Sequence, residues 1–256
     1  MKVVILAGGL GTRLAEETDI VPKPMVEIGG QPILWHIMKH YAVYGYHEFV
    51  VALGYKGEHI KQYFSDYYKL SGNLRVDLGK GIVDVDRSHN EDWIISLMDT
   101  GLDTQTGGRI KRLETVLAGE PFLFTYGDGI SDVPIDQLVE FHKAQQATAT
   151  ITAVRPPARF GGLKLSDSKV AEFSEKAQIG EGWINGGFMV FEPDVLNYLD
   201  GDSSTLETDA LARLAKKGQL AAYRHNDFWQ CMDTLRDKRL LQRLWQDGNP
   251  PWRSWA

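Results

Sequence analysis

Cysteine is almost absent from this sequence: Cys231 is the only one. No intrachain disulfide can form, and a reducing compartment fits. Long apolar runs are missing as well, since no stretch approaches the roughly 18–20 residues that a membrane span needs. Residues 1–6 are followed by glycines rather than by the h-region of a signal peptide. The expectation is a soluble, cytoplasmic protein with no membrane association. Nor is there a positive excess. The 28 Lys and Arg face 34 Asp and Glu, for a net charge of −6, which argues against a non-specific nucleic-acid or anionic-membrane binder. A few placed Arg and Lys can still make a local site for an anion.

Several catalytic signatures are also lacking. No G-x-S-x-G occurs, so an α/β-hydrolase nucleophile elbow has no support. His36 and His40 have i,i+4 spacing on a helical pattern, but no H-E-x-x-H and no third ligand accompany them, so they read as ordinary helix histidines. What remains is a chain of 256 residues, 43% hydrophobic and 24% charged, with the composition of a globular protein able to bury a sizeable core.

Its organisation is that of an α/β fold. Lys2 to Leu6 is a short apolar run ended by glycine, as in a buried strand of a parallel sheet. Leu34, Ile37, Met38 and Tyr41 then fall at helical spacing, and Gly45 stops the run. Glu48 to Leu53 reads as a strand, and Ile60, Tyr63, Phe64, Tyr67 and Tyr68 mark one face of a second helix. This strand–helix rhythm is that of βαβ units. Gly79 to Asp92 reads as a hairpin or loop excursion and Ile94 to Met98 as a strand. Arg109 to Leu117 reads as a helix, Pro121 to Tyr126 as a strand and Ala147 to Val154 as another. Ile184 to Pro193 is a strand with a Gly pair inside, and Pro193–Leu199, Leu206–Lys217 and about Thr234–Trp245 read as helices. No repeat or linker interrupts the chain, so one domain over 1–256 is expected.

The stretch "AGGLGTRL", Ala7 to Leu14, follows the first strand. A P-loop is excluded because no Lys-Ser or Lys-Thr follows the glycines. The dinucleotide fingerprint fits Gly9 and Gly11 but meets Leu14 where its third glycine belongs. A Gly-rich turn without a ligand is the plainer reading. The loop's company favours a ligand: "VPKPM" sets Lys23 not far behind Arg13, at the carboxyl end of a strand, where open α/β sheets bind ligands. Free N–H groups, an Arg fork and a mobile Lys charge suit a triphosphate that loses pyrophosphate. Asp128 in "TYGDG" ends an apolar strand and could be no more than an Asp-Gly turn. Asp233 in "MDT" could be a helix N-cap.

With "LAGGLGTRL" and "PKP", the chain resembles the sugar-1-phosphate nucleotidylyltransferases over essentially its whole length. "TGGRIKR", "TYGDG", "INGGF", "FWQCMDTLRD" and the tail "PPWRSW" are similar to the branch that uses CTP. The resemblance implies a Rossmann-like mixed, mostly parallel sheet flanked by helices, with a nucleotide-binding half to about residue 130 and a sugar-binding half after it. It implies transfer of CMP from CTP to glucose 1-phosphate with Mg²⁺, giving CDP-glucose and pyrophosphate for cell-surface polysaccharide synthesis. Arg13, Lys23 and Asp128 would be catalytic, and Asp128 with Asp233 would hold the metal. Leu6, Ala7, Gly8, Gly9, Gly11, Thr12, Arg13, Lys23 and Gly127 would line the nucleotide, with Thr104 and Arg109 near cytosine. On the sugar side stand Gly161, Glu175, Lys176, Asn185 and Gly186, with Ala177 where the family usually has proline. The family's homo-oligomers imply a trimer or hexamer, with the Trp-bearing tail as a contact unless it packs on its own chain. The same chemistry on another base or sugar, and a non-catalytic sensor on the same fold, are the rival readings.

Overall fold

The computed structural model describes every residue except 12, 13, 15–17, 19, 86–90, 157–161, 167, 168, 175–181 and 256. Its centre is a seven-stranded sheet built from β1 (Val3–Leu6), β2 (Glu48–Leu53), β3 (Ile94–Asp99), β4 (Phe122–Tyr126), β5 (Ala149–Val154), β6 (Ile184–Phe191) and β7 (Leu220–His225). The spatial order is β7-β5-β6-β4-β1-β2-β3. Every neighbouring pair is parallel except the two that involve β6, which runs antiparallel to both β5 and β4. This is the mixed, mostly parallel sheet expected from the sequence.

The strands at the centre are buried on both faces, which explains why β1 is a continuous Val-Val-Ile-Leu run rather than an alternating one. Val3 and Ile5 face one core, shared with Phe49, Val51 and the helix α1 (Ile33–Val43) through Ile37, Met38 and Tyr41. Val4 and Leu6 face the other, shared with Val50, Phe122 and Phe124 and covered by Ile110, Leu113 and Leu117. The helix α2 (Gly57–Leu70) buries little beyond Ile60.

Several elements differ from expectation. The helix expected over Arg109–Leu117 begins earlier, as α3 (Thr106–Arg112), and breaks at Leu113 before a short turn over Glu114–Leu117. The Leu206–Lys217 segment opens as a π-helical turn, Leu206–Leu211, and becomes α-helical only over Ala212–Lys216. Pro193–Tyr198 is a 3₁₀ segment. The excursion expected over Gly79–Asp92 is centred earlier, on a hairpin of Leu74–Asp77 with Ile82–Val85. A helix α4 (Ile135–Gln145), strand β7 and the ribbon of Gly129–Ser131 with Trp229–Cys231 were not anticipated. The final helix, α5 (Leu235–Gln246), starts on a capping box between Thr234 and Asp237. Thr234 is therefore the N-cap, and Asp233 is left for other work.

The tail packs on its own chain. Trp252 is 1% exposed, stacks on Phe228 and Trp245, and reaches His36 through its ring N–H. Trp255 meets Trp35 edge-on. The ring of Trp252 therefore needs no second subunit to cover it. His36 and His40 donate from Nε2 to the carbonyls of Ile28 and Val133, as structural histidines do. No helix among the described residues is long and apolar enough to cross a membrane.

Candidate active site

Parallel pairing aligns three strand ends. Leu6 lies beside Ala52 on one side and Tyr126 on the other, so the loops after β1, β2 and β4 leave the sheet together. Backbone bonds tie them: Ala7 N–H to Ala52 O at 3.0 Å, Tyr55 N–H to Gly8 O at 3.2 Å and Gly127 N–H to Leu6 O at 2.9 Å. Above them opens a cavity of about 380 Å³, a size that suits a nucleotide. Of the residues expected at a nucleotide, Leu6, Ala7, Gly8, Gly9, Gly11, Lys23, Thr104, Arg109 and Gly127 line it, together with Asp128. Thr12 and Arg13 lie outside the described residues.

At the cavity's edge one lysine serves two acids. Lys23 sits on a 3₁₀ turn between Pro22 and Pro24, whose fixed φ angles shape the segment. Its ammonium donates to Asp128 Oδ2 and to Asp233 Oδ1, each at 2.6 Å. Burial works to lower the Lys23 pKa, but Asp128 first and Asp233 with it outweigh that and hold it above its usual 10.5. The cluster carries a formal excess of one negative charge. Two carboxylates that already share one cation form the kind of hard-oxygen pair that Mg²⁺ takes from a protein, the rest of its shell coming from phosphate and water. Among the described residues no group of three or more His, Cys, Asp or Glu is placed to hold a metal ion. Cys231 lies next to Asp233, but burial, reinforced by Asp233 and Asp128, pushes its thiol up to about 11. It stays protonated and is no nucleophile at neutral pH.

Arg109, expected near the base, is held by many acceptors of its own chain. It is 5% exposed, and its guanidinium donates to Leu53 O, Thr100 Oγ1 and Gly101 O through Nη1, and to Gly8 O and Leu102 O through Nη2. Those acceptors lie at the end of β2 and in the loops after β1 and β3, so the side chain ties the three strand ends together. Gly8 and Gly54 are glycine for the same reason: a Cβ at either would lie 2.4 or 2.5 Å from Arg109 Nη1. Arg109 and Thr104 are both buried, and both line the cavity.

On the sugar side, Gly161, Glu175 and Lys176 lie outside the described residues. Asn185 Oδ1 accepts from Gly187 N–H at 2.9 Å, turning the start of β6. Gly186 is crowded by Val154, and its carbonyl accepts from the Trp229 ring N–H at 2.7 Å. The β5–β6 register shifts here, between Ile151 and Ala153. Gly186 is thus accounted for by packing at an irregularity.

The structure adds wall residues that the sequence reading missed. Gln105, Thr106 and Tyr126 line the cavity. Glu207 accepts from Tyr126 Oη at 2.6 Å and from Thr106 Oγ1 at 2.7 Å. Thr106 and Tyr126 stand inside the motifs "TGGRIKR" and "TYGDG", beside their glycines and charges. Nothing local marks Glu207, whose partners are 81 and 101 residues away.

Comparison with known proteins follows the same line. A family model described as nucleotidyl transferase matches residues 2–248. The chain is 49% identical, over the full length of both, to a Salmonella typhi protein named glucose-1-phosphate cytidylyltransferase. It is equally similar, again over both full lengths, to the protein of that name from Salmonella typhimurium strain LT2. Among solved structures, HddC from Yersinia pseudotuberculosis complexed with GMP-PN superposes with a TM-score of 0.68 at 23% identity, over 95% of this chain and 99% of that one. At that identity the likeness speaks for the fold alone.

Proposed function

The chain belongs to the nucleotidyl transferase family, and from that premise we propose that it transfers CMP from CTP to glucose 1-phosphate, giving CDP-glucose and pyrophosphate. The observation that carries the reading is the Lys23–Asp128–Asp233 cluster at the rim of a cavity over the strand ends. The choice of CTP and glucose 1-phosphate rests on the names of the full-length relatives.

The reaction needs little covalent help. An oxygen of the sugar phosphate is already anionic, so no base has to remove a proton. It attacks the α-phosphorus in line with the bridging oxygen to the β-phosphate. A new P–O bond forms, the old one breaks, and its electron pair leaves on pyrophosphate. The obstacle is repulsion between two anions, which positioned charge must offset. Backbone at Ala7, Gly8, Gly9 and Gly11 would follow the triphosphate, and Gly9 has no neighbouring atom within 4 Å of where a Cβ would stand, leaving room. Lys23, with Arg13, would balance charge on the departing pyrophosphate. Asp128 and Asp233 would hold Mg²⁺, which when bound polarises the α-phosphate as a Lewis acid and screens the triphosphate. Lys176, Glu175, Gly161, Asn185 and Gly186 would take the sugar phosphate.

A pyrophosphate-release assay with CTP and glucose 1-phosphate tests this. Turnover that EDTA stops, and that Asp128→Asn lowers by at least about 100-fold without loss of fold, supports it. Full turnover in EDTA, or near-normal rates in the variant, contradicts it.

A further inference from the structure

Tyr126 stands at the junction of the two halves. It ends β4, two residues before Asp128, and lines the nucleotide cavity. Its ring lies against Gly187, which opens the way by lacking a side chain: a Cβ there would come within 2.9 Å of the Tyr126 ring. Gly187 also has φ +85°, a conformation that favours glycine. Asn185, on the same turn, is hydrogen-bonded to the Tyr126 hydroxyl.

The phenol's proton is committed. Tyr126 Oη donates at 2.6 Å to Glu207 Oε1, while Glu207 Oε2 accepts from Thr106 Oγ1 at 2.7 Å. A carboxylate can only accept, so the direction of the Tyr126 bond is fixed. Asn185 already donates to this hydroxyl, so the phenol oxygen keeps one further acceptor position and has no proton to offer. Glu207 is itself held in place. Its π-helical turn is anchored by Leu206 N–H on Thr106 Oγ1 at 2.9 Å. The preceding loop is strapped to α3 by the Arg112–Asp202 fork at 2.7 and 2.6 Å and by Gly108 N–H on Ser204 O. Single-turn π-helices are frequent where a fold aims a functional side chain.

We propose that Tyr126 is a hydrogen-bond acceptor for a sugar-ring hydroxyl of a bound substrate, and that Glu207 is the positioning residue that sets this polarity. The inference rests on the nucleotidyltransferase reading above. Two substrates carry such a ring, the ribose of the nucleotide and the hexose of the sugar phosphate, and the chemistry at Tyr126 is the same for both. A substrate hydroxyl donates to the phenol oxygen only while the phenol proton points to Glu207. With a neutral amide at 207 the phenol can reverse and offer a donor to a donor.

The test uses Tyr126→Phe, Glu207→Gln and the double variant, each checked for fold by circular dichroism and assayed with CTP and glucose 1-phosphate. Parallel assays use 2′- and 3′-deoxy-CTP and the monodeoxy glucose 1-phosphates. The expected result is that each single variant raises the KM of one substrate about five- to tenfold, with kcat within about threefold, as the loss of one neutral hydrogen bond implies. Against the deoxy analogue that lacks the hydroxyl read, the wild type and both variants should have equal KM. Glu207→Gln should add nothing in the Tyr126→Phe background. The affected substrate, CTP or glucose 1-phosphate, identifies the ring. Unchanged KM with only a lowered Tm, an equal KM rise for every analogue, or multiplying effects in the double variant would each overturn the proposal. Wild-type protein with no turnover would overturn the reading beneath it as well, whereas normal wild-type turnover beside unaffected variants overturns this inference alone.

Discussion

Arg109 and Lys23 are both buried cations at one cavity, yet they do opposite things. Lys23 keeps its charge against two carboxylates, a pairing that a bound cation or phosphate can compete for. The Arg109 terminal nitrogens are spent on neutral acceptors, four of them backbone carbonyls. Arg109→Ala should therefore act as a loop defect. It removes the donors that tie the carbonyls of Gly8, Leu53, Gly101 and Leu102 together, costs about 2–4 kcal/mol of stability and weakens turnover with CTP and UTP by the same factor. Thermal unfolding and the CTP-over-UTP ratio check this, and a ratio that collapses while Tm holds would restore a base-reading role. The sequence made both residues visible as positive charges near glycines. It could not say which charge was free, because the acceptors for Arg109 come from loops up to 101 residues away.

At the scale of elements, α1 and the tail form one unit through His36. The His36 ring donates from Nε2 to Ile28 O at 2.8 Å and accepts at Nδ1 from the Trp252 N–H at 3.5 Å, an arrangement only the neutral ring can make. Burial pushes the pKa of His36 down to about 4, and likewise that of His40. The unfolded chain takes up these protons near 6.5 while the folded chain refuses them, so stability is complete above 6.5 and falls as pH drops toward 4. Each histidine contributes about 3 kcal/mol to that loss at its lower end. Tm should be flat above pH 7 and decline between 6.5 and 4.5, and His36→Gln should reduce the slope, with His40 and His142 supplying the rest. An unchanged slope in that variant would contradict the assignment. The elements were unevenly legible. β1, β2, β4 and α1 announce themselves because both faces or one helical stripe are strongly apolar. The stripe of α4, Ile135, Leu138, Val139 and His142, stands at helical spacing and is legible in the sequence. By contrast, β7 is a half-exposed edge strand with two alanines and little alternation to read. The π-turn at Leu206 depends on Thr106, a contact no local pattern encodes.

Across the whole molecule, the sheet does what the linear chain hides: it brings Lys23 to Asp128 across 105 residues and to Asp233 across 210. A protein with net charge −6 can serve an anionic substrate because its glycine loop and Lys23 meet at the carboxyl ends of parallel strands, while most of its acids lie elsewhere. Family motifs made this convergence readable in advance for the nucleotide side. The sugar side was named from the same motifs, but Gly161, Glu175 and Lys176 fall outside the described residues, and Gly186 is explained by packing. The central claim concerns which nucleotide meets which sugar in that cavity. The direct measurement is kcat/KM for pyrophosphate release from CTP, UTP, GTP, ATP and dTTP, each against the 1-phosphates of glucose, mannose and galactose. CTP with glucose 1-phosphate should exceed every other pairing by at least about tenfold, the scale on which one or two hydrogen bonds discriminate. A different best pairing, or no pyrophosphate from any of them, would contradict it.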